Sequence, residues 1–364
     1  MRLWLRVLPC FFLCFGLAFS TEAAEAPDIS APYAVLMEVS TGQILYARNP
    51  QEKRPPASTT KILTAVLAIE LGRLDSPVQV SRHAASTPGA SLYLAPETVW
   101  RLEDLLKGAL ISSGNDACVA LAEHLAGSEE TFAWLMNRKA GLLGAYSSHF
   151  VNPHGLPDDE HYSTAYDLAL LSRYALSHPL FRQIVATRRT TVQGSDGPRE
   201  LYNTNRLLDS YEGADGIKTG TTVQAGQCLV ASATRGGRQL IAVVLRSFDR
   251  YKDVRDLLDY GFHSFHLERM EAGEKVGKIY VPNGGQKELT VVLARGVAWS
   301  VPADEVAKLE KRVIIPAAIK APVKKGQILG ALKLLYAGEE VAASPLVAAE
   351  EVSAEKGIFR FLGR

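Results

Sequence analysis

Residues 55–72 read PPASTTKILTAVLAIELG. Two prolines halt regular structure, and apolar residues then recur at Ile62, Leu63, Val66, Leu67 and Leu71, the period of a helix with one buried face. The spacing predicts a helix from Ser58 to about Leu71, closed by Gly72 as the residue after its C-cap. This helix opens on Ser58-Thr59-Thr60-Lys61. Residues three apart on a helix share a face, so the Lys61 amine can reach the Ser58 hydroxyl. A serine hydroxyl is a weak nucleophile until an adjacent base takes its proton. A lysine is that base only when neutral, a state that burial and a neighbouring cation favour. The helix start also offers free backbone N–H groups and a positive dipole end where an oxyanion could develop.

Two further short motifs follow in order, Ser113-Gly114-Asn115 and Lys218-Thr219-Gly220. Together with Ser58–Lys61 they make the S-x-x-K, S-x-N, K-T-G set of active-site serine acyltransferases and hydrolases. Ser113 offers a hydroxyl able to pass a proton to a leaving amine, and Asn115 an amide that can orient lysine and substrate. Lys218 is a candidate cation on a strand bordering the same cleft. Thr219 adds a hydroxyl, and Gly220 lets a substrate backbone approach that strand. Taken singly, each motif has an ordinary reading: a helix cap, a turn, a polar strand end. A second S-x-x-K at Ser353–Lys356 sits in a polar tail and leads into no helix. The order of the three motifs, each in its own helix, loop or strand context, separates the first from coincidence.

Working outward, Tyr33–Glu38 and Gln43–Ala47 flank Ser40-Thr41-Gly42 and read as a hairpin. Helical periodicity returns at Leu102–Ile111, Asp116–Leu125 and Tyr166–Ala175. Ile217–Thr221, Gln227–Ala233 and Gln239–Leu245 read as strands, with Gly236-Gly237 as a turn, and Arg250–Tyr260 as a helix. Strands at both ends with helices between predict an α+β domain, one sheet covered by a helical cluster. After Glu271 short strands at Lys278–Val281, Leu289–Leu293, Val313–Ile315 and Ile328–Gly330, separated by Gly, Pro and Asn, predict a small all-β module.

The chain has 364 residues, 22% charged and 47% apolar, with formal net charge +1. That is an ordinary globular composition with no electrostatic reason to expect nucleic acid as a partner. HExxH, GxGxxG and GxxxxGK[ST] are all missing, so zincin, dinucleotide and P-loop readings have no support. His149, His154, His161 and Asp158 lie close in sequence but without a diagnostic ligand spacing, so neither a metal nor another cofactor is expected. Arg2 and Arg6, an apolar run from Val7 to Phe19 and small residues at 23–26 have the order of a secretory signal peptide, cleaved between Ala23 and Ala26. The mature protein is then expected outside the cytoplasm. Cys10 and Cys14 leave with the leader, and Cys118 and Cys228, in apolar segments, are expected as buried thiols rather than a disulfide.

The chain resembles the low-molecular-mass penicillin-binding proteins that are D-alanyl-D-alanine carboxypeptidases. The resemblance is carried by Pro56–Ala65, by Ser112-Ser113-Gly114-Asn115-Asp116-Ala117, by Asn152-Pro153-His154-Gly155-Leu156, and by Gly216–Thr222 with Ala225–Val230. It covers nearly all of the mature chain. It implies a penicillin-binding/β-lactamase-like transpeptidase domain at 27–268 after a leader at 1–26, a β-rich domain at 269–350, and an amphipathic tail at 351–364 as a membrane anchor. It implies Ser58 as the acylated nucleophile, Lys61 as its base, and Ser113 and Asn115 as the second catalytic element. Lys218, Thr219 and Arg250 would bind the substrate carboxylate, Gly220 would line the same strand, and the N–H groups of Ser58 and Thr221 would form the oxyanion hole. The implied substrate is a peptidoglycan stem peptide ending in D-Ala-D-Ala, with β-lactams as covalent inhibitors and a periplasmic location at the membrane's outer face.

Three alternatives compete with this reading: a β-lactamase, a D,D-endopeptidase and a non-catalytic peptidoglycan-binding protein. No E-x-x-L-N segment stands between Ser113 and Lys218 to hold a deacylating water as in class A β-lactamases. The β-rich module counts against the first two, and the complete set of catalytic residue types against the third. In the tail Lys356, Arg360 and Arg364 recur every four residues opposite Ile358, Phe359, Phe361 and Leu362, the pattern of an interfacial helix with weak, salt-sensitive membrane contact.

Overall fold

The computed structural model describes residues 26–355. Nearly all of the expected leader, and the tail residues from Lys356 onward, lie outside the described residues. The hairpin Tyr33–Glu38/Ile44–Arg48 and the strands Ala214–Thr222, Gly226–Arg235 and Arg238–Ser247 form one antiparallel sheet. Arg238–Ser247 pairs with Tyr33–Glu38 on one side and Gly226–Arg235 on the other, which leaves Ala214–Thr222 at the edge. The strands alternate faces as period-2 geometry requires. Val35, Met37, Val230, Ile241, Val243 and Leu245 point into the larger core with the helices Lys61–Leu71, Leu102–Ile111, Asn115–Ala126 and Ala165–Ala175. Ala34, Leu36, Leu229, Ala231, Leu240 and Val244 face Val254, Leu257 and Leu258 of the helix Arg250–Ser264. Both faces of the sheet are therefore covered, and the middle of the strand Arg238–Ser247, Leu240–Leu245, is an unbroken apolar run.

The opening helix departs from its expectation in two ways. Ala57–Thr60 is a 3-10 turn and the α-helix begins only at Lys61. Ala57 takes φ 49°, and the Pro56 carbonyl accepts both the Thr59 N–H (3.3 Å) and the Thr59 hydroxyl (2.7 Å), which tightens the turn. Gly72 is not left-handed but extended (φ −90°, ψ 155°). Its requirement is space, since a β-carbon there would meet Leu102 Cδ1 at 2.5 Å and the Ala68 carbonyl oxygen at 2.7 Å.

The helices Glu129–Leu142 and Pro179–Val185 and the hairpin Arg189–Gly194/Gly197–Tyr202 were not anticipated, although Ser195-Asp196-Gly197 is a turn signal. Beyond Ser264 the chain enters a second, all-β unit. Phe265–Met270 pairs with Val297–Pro302. A five-stranded sheet runs in the order Lys275–Tyr280, Glu288–Leu293, Glu339–Ala348, Ile328–Tyr336, Leu309–Ile314, around a core that includes Ile279, Val291, Leu332 and Leu346. Its hairpin 328–348 is longer than the short strands expected. The small residues Ala342, Ala343 and Ser344 hide a strand pattern that the pairing with Ile328–Tyr336 enforces. The two units touch where Gln43 Nε2 donates to the Ser300 carbonyl (3.0 Å) and Ser300 N–H to Gln43 Oε1 (2.7 Å). Among the described residues no helix is long and apolar enough to cross a membrane.

Candidate active site

Three elements converge on Ser58. The 3-10 turn carries it, the start of the helix Asn115–Ala126 faces it, and the edge strand Ala214–Thr222 runs beside it. Gly220 makes that close approach possible: a β-carbon there would lie 3.0 Å from Ser58 N and 3.1 Å from the Pro56 oxygen. The Ser58 N–H lies in the first turn, where no intrahelical acceptor exists.

Lys61 is fully buried, and its Nζ lies 3.0 Å from Ser58 Oγ, 2.7 Å from Asn115 Oδ1 and 2.9 Å from the His154 carbonyl oxygen. Burial lowers its pKa from 10.5 to about 8. Asn115 Oδ1 and the His154 carbonyl can only accept hydrogen bonds, whereas the Ser58 hydroxyl can also donate. A neutral amine therefore keeps its two N–H groups on the carbonyl oxygens and presents its lone pair to Ser58. Lys218 is also buried, with Nζ on the Thr219 carbonyl at 3.2 Å. Burial first, then the charges of Lys61 and Arg250, hold it well below the usual lysine range. Burial rather than a neighbouring cation is thus the main cause at both lysines.

Ser113 is left-handed at φ 66° and nearly buried, and among the described residues its hydroxyl has no hydrogen-bond partner. Asn115 is held from the far side, its Nδ2 donating to the Pro88 carbonyl at 2.7 Å and its N–H to the Ala90 carbonyl at 2.7 Å. Thr219 Oγ1 pairs with Thr204 Oγ1 at 2.7 Å. Arg250, the first residue of its helix, sends Nη1 to the Gly220 carbonyl (3.1 Å) and Thr221 Oγ1 (2.8 Å), so all nine sequence-derived site residues lie in one neighbourhood.

Four contributors escaped the sequence reading. His154 acts through its backbone carbonyl rather than its imidazole, so its proximity to other histidines had no bearing. Gly155, at φ 89°, lets that turn press on the turn that carries Ser58, since a β-carbon would fall 1.9 Å from the Ala57 oxygen. Asp116, buried, accepts from the N–H groups of Leu92 (3.0 Å) and Leu94 (3.1 Å) and from Ser91 Oγ (2.6 Å), which anchors the segment carrying Pro88 and Ala90. Its place in the quoted Ser-Gly-Asn-Asp run was the available signal. His161 Nδ1 accepts from Val151 N–H (3.2 Å), which leaves Nε2–H for Thr60 Oγ1 (2.9 Å); burial lowers its pKa to about 4 and keeps it neutral. Cys118 and Cys228 are free and buried as expected, and burial pushes both thiols up to about 11.

Residues 20–249 match the family described as "D-alanyl-D-alanine carboxypeptidase". The chain belongs to that family. Residues 267–354 match "Penicillin-binding protein 5, C-terminal domain". Among curated D-alanyl-D-alanine carboxypeptidases, DacF of Bacillus subtilis is 37% identical over 92% of this chain and 88% of its own length, and DacC of Escherichia coli 34% over 96% and 90%. Penicillin-binding protein 5 of Haemophilus influenzae superposes with a TM-score of 0.73 at 30% identity, covering 91% of this chain and 99% of that one. The α+β domain followed by an all-β unit is thus the family's architecture, as the resemblance implied.

Proposed function

We propose that this member of the D-alanyl-D-alanine carboxypeptidase family is a serine-type enzyme that removes the terminal D-alanine from peptidoglycan stem pentapeptides, and that penicillins acylate the same serine. The observation that carries this reading is the Lys61 amine, buried and held between Ser58 Oγ, Asn115 Oδ1 and the His154 carbonyl. Ser58 Oγ attacks the carbonyl carbon of the penultimate D-alanine while Lys61 takes the hydroxyl proton. The N–H groups of Ser58 and Thr221 receive the developing oxyanion. Ser113, two residues before the Asn115 that holds Lys61, relays a proton to the leaving amine as the C–N bond breaks. Water then hydrolyses the Ser58 ester and restores the hydroxyl. Lys218, Thr219 and Arg250 hold the terminal carboxylate, with Gly220 giving the substrate backbone access to the strand.

The proposal extends to the protein's place in the cell. Residues 1–26 act as an export leader, 27–268 form the peptidase domain, 269–350 the β-rich domain, and 351–364 a weak peripheral anchor on the outer face of the cytoplasmic membrane. If deleting 354–364 leaves membrane fractionation unchanged, the tail is not the anchor.

The decisive experiment reacts the purified chain with a labelled penicillin and measures D-alanine release from diacetyl-L-Lys-D-Ala-D-Ala. Both signals are expected from the wild type and neither from Ser58→Ala. Labelling that persists in the alanine variant would overturn the assignment.

A further inference from the structure

The cleft does not end at the carboxylate grip. A cavity of about 660 Å³ continues from Thr221 and Arg250 along the segment Tyr202–Arg206, with Gln227 and Tyr251 in its wall. It is an open groove, with Tyr202, Thr204, Arg206 and Thr221 exposed along it, and it has room for a side chain longer than the methyl group of a leaving alanine. The two charged side chains that line it, Arg206 and Arg250, are both cationic. Neighbouring carboxylates are committed elsewhere: Asp209 pairs with Arg188, Glu200 accepts from Tyr202 Oη, and Asp249 caps the helix through the N–H groups of Tyr251 and Lys252. Among the described residues the Arg206 guanidinium has no acidic partner.

The backbone that carries Arg206 is fixed against the substrate strand. Thr204 N–H donates to the Ile111 carbonyl (3.1 Å) and its hydroxyl meets Thr219 Oγ1 (2.7 Å). Buried Asn205 donates from Nδ2 to the Gly216 carbonyl (2.8 Å), and Tyr251 Oη donates to the Thr204 carbonyl (3.0 Å). Arg206 therefore starts from a rigid platform beside the place where the leaving residue's α-carboxylate is bound in the proposed reaction.

We infer that this groove is a subsite for the side chain of the leaving residue, and that Arg206 lets the enzyme release, besides D-alanine, a D-amino acid bearing a side-chain carboxylate in preference to its neutral isostere. The inference rests on the carboxypeptidase reading, because that reading puts the leaving residue between Thr219 and Arg250. The reaction is unchanged: the amide bond to the leaving nitrogen breaks, that nitrogen takes the relayed proton, and the acyl group passes to Ser58. Only the departing amino acid differs. Arg206 is a specificity-determining residue, since the charge it contributes lies beyond the bonds that break.

The test is a series of diacetyl-L-Lys-D-Ala-D-X peptides with X = D-Ala, D-Glu, D-Gln or D-Lys, assayed with wild type, Arg206→Ala and Arg206→Glu. In the wild type, kcat/KM for D-Glu should exceed that for near-isosteric D-Gln by roughly three- to tenfold, the scale of a partly exposed charge-assisted contact. The D-Glu/D-Gln ratio should fall to about one in Arg206→Ala, and Arg206→Glu should favour D-Lys. Ratios within each variant cancel any general loss from misfolding. A wild type that releases D-Ala but handles D-Glu and D-Gln alike would overturn this inference alone. A wild type that releases no D-Ala would overturn the carboxypeptidase reading, and this inference with it.

Discussion

The Lys61 Nζ lies 2.9 Å from the backbone carbonyl oxygen of His154, a contact that joins the first helix to a turn 93 residues further along the chain. With Asn115 Oδ1 it occupies both N–H groups of a neutral amine, so the lone pair has one direction left, toward the Ser58 hydroxyl. In the proposed reaction the lysine is oriented as a base by two acceptors that cannot themselves give up a proton.

Replacing Lys61 with Arg keeps the charge in a group that stays protonated at working pH. Penicillin acylation should fall by at least about 10²-fold, the usual scale for losing a general base. Stopped-flow labelling reads it, and near-normal acylation would mean that another group takes the proton.

Acylation by the wild type should rise with pH. Burial places the Lys61 pKa near 8, and the active form is the deprotonated one. The rate should therefore climb about tenfold per unit below that value and level off above it. A second-order acylation rate that is flat from about pH 6 to 9 would exclude Lys61 as the titrating base.

Gly220→Ala puts a β-carbon 3.0 Å from Ser58 N and 3.1 Å from the Pro56 oxygen, backbone atoms that have little room to yield. A misplacement of the nucleophile of about 1 Å costs up to about 10²-fold. We expect acylation to drop by about 10- to 100-fold, with stability lost by no more than about 1–3 kcal/mol. A variant with wild-type acylation would show that the strand can move aside.

Asp116→Ala leaves the Leu92 and Leu94 N–H groups without their acceptor in a buried place. Each orphaned donor costs about 1–3 kcal/mol, so the variant should lose about 2–6 kcal/mol on denaturant unfolding. It should also bind penicillin more weakly, because the segment that holds Asn115 loses its anchor. Stability within about 0.5 kcal/mol of wild type, the scale of an ordinary surface change, would refute the anchoring role.

Amidating the terminal carboxylate of the substrate should separate recognition from chemistry. Lys218, Thr219 and Arg250 would then face a neutral group, and turnover should fall by about 10²-fold or more while penicillin labelling is unaffected. Equal turnover of acid and amide would remove these three residues from the carboxylate site and leave Ser58 untouched.

The sequence alone determined the elements that local periodicity encodes. Ser58 and Lys61 share a helix face, and the spacing of Val35 and Met37 or Ile241 and Val243 marks one face of a sheet; each signal lies within a few residues of chain. The family's motifs add their order along the sequence. Tertiary structure decided what depends on contacts between distant segments: that Ala214–Thr222 is the edge strand and so lies open to a cleft, that a carbonyl at His154 rather than a side chain completes the lysine's surroundings, and that Asp116 ties down Leu92 and Leu94. A backbone carbonyl carries no residue identity to be read, and burial, which lowers Lys61 to about 8, belongs to the packed core and not to the lysine. The charge of the cavity beside Arg250 has the same origin, since Arg206 is an ordinary arginine in the sequence and acquires a location only when Thr204 is pinned to Thr219.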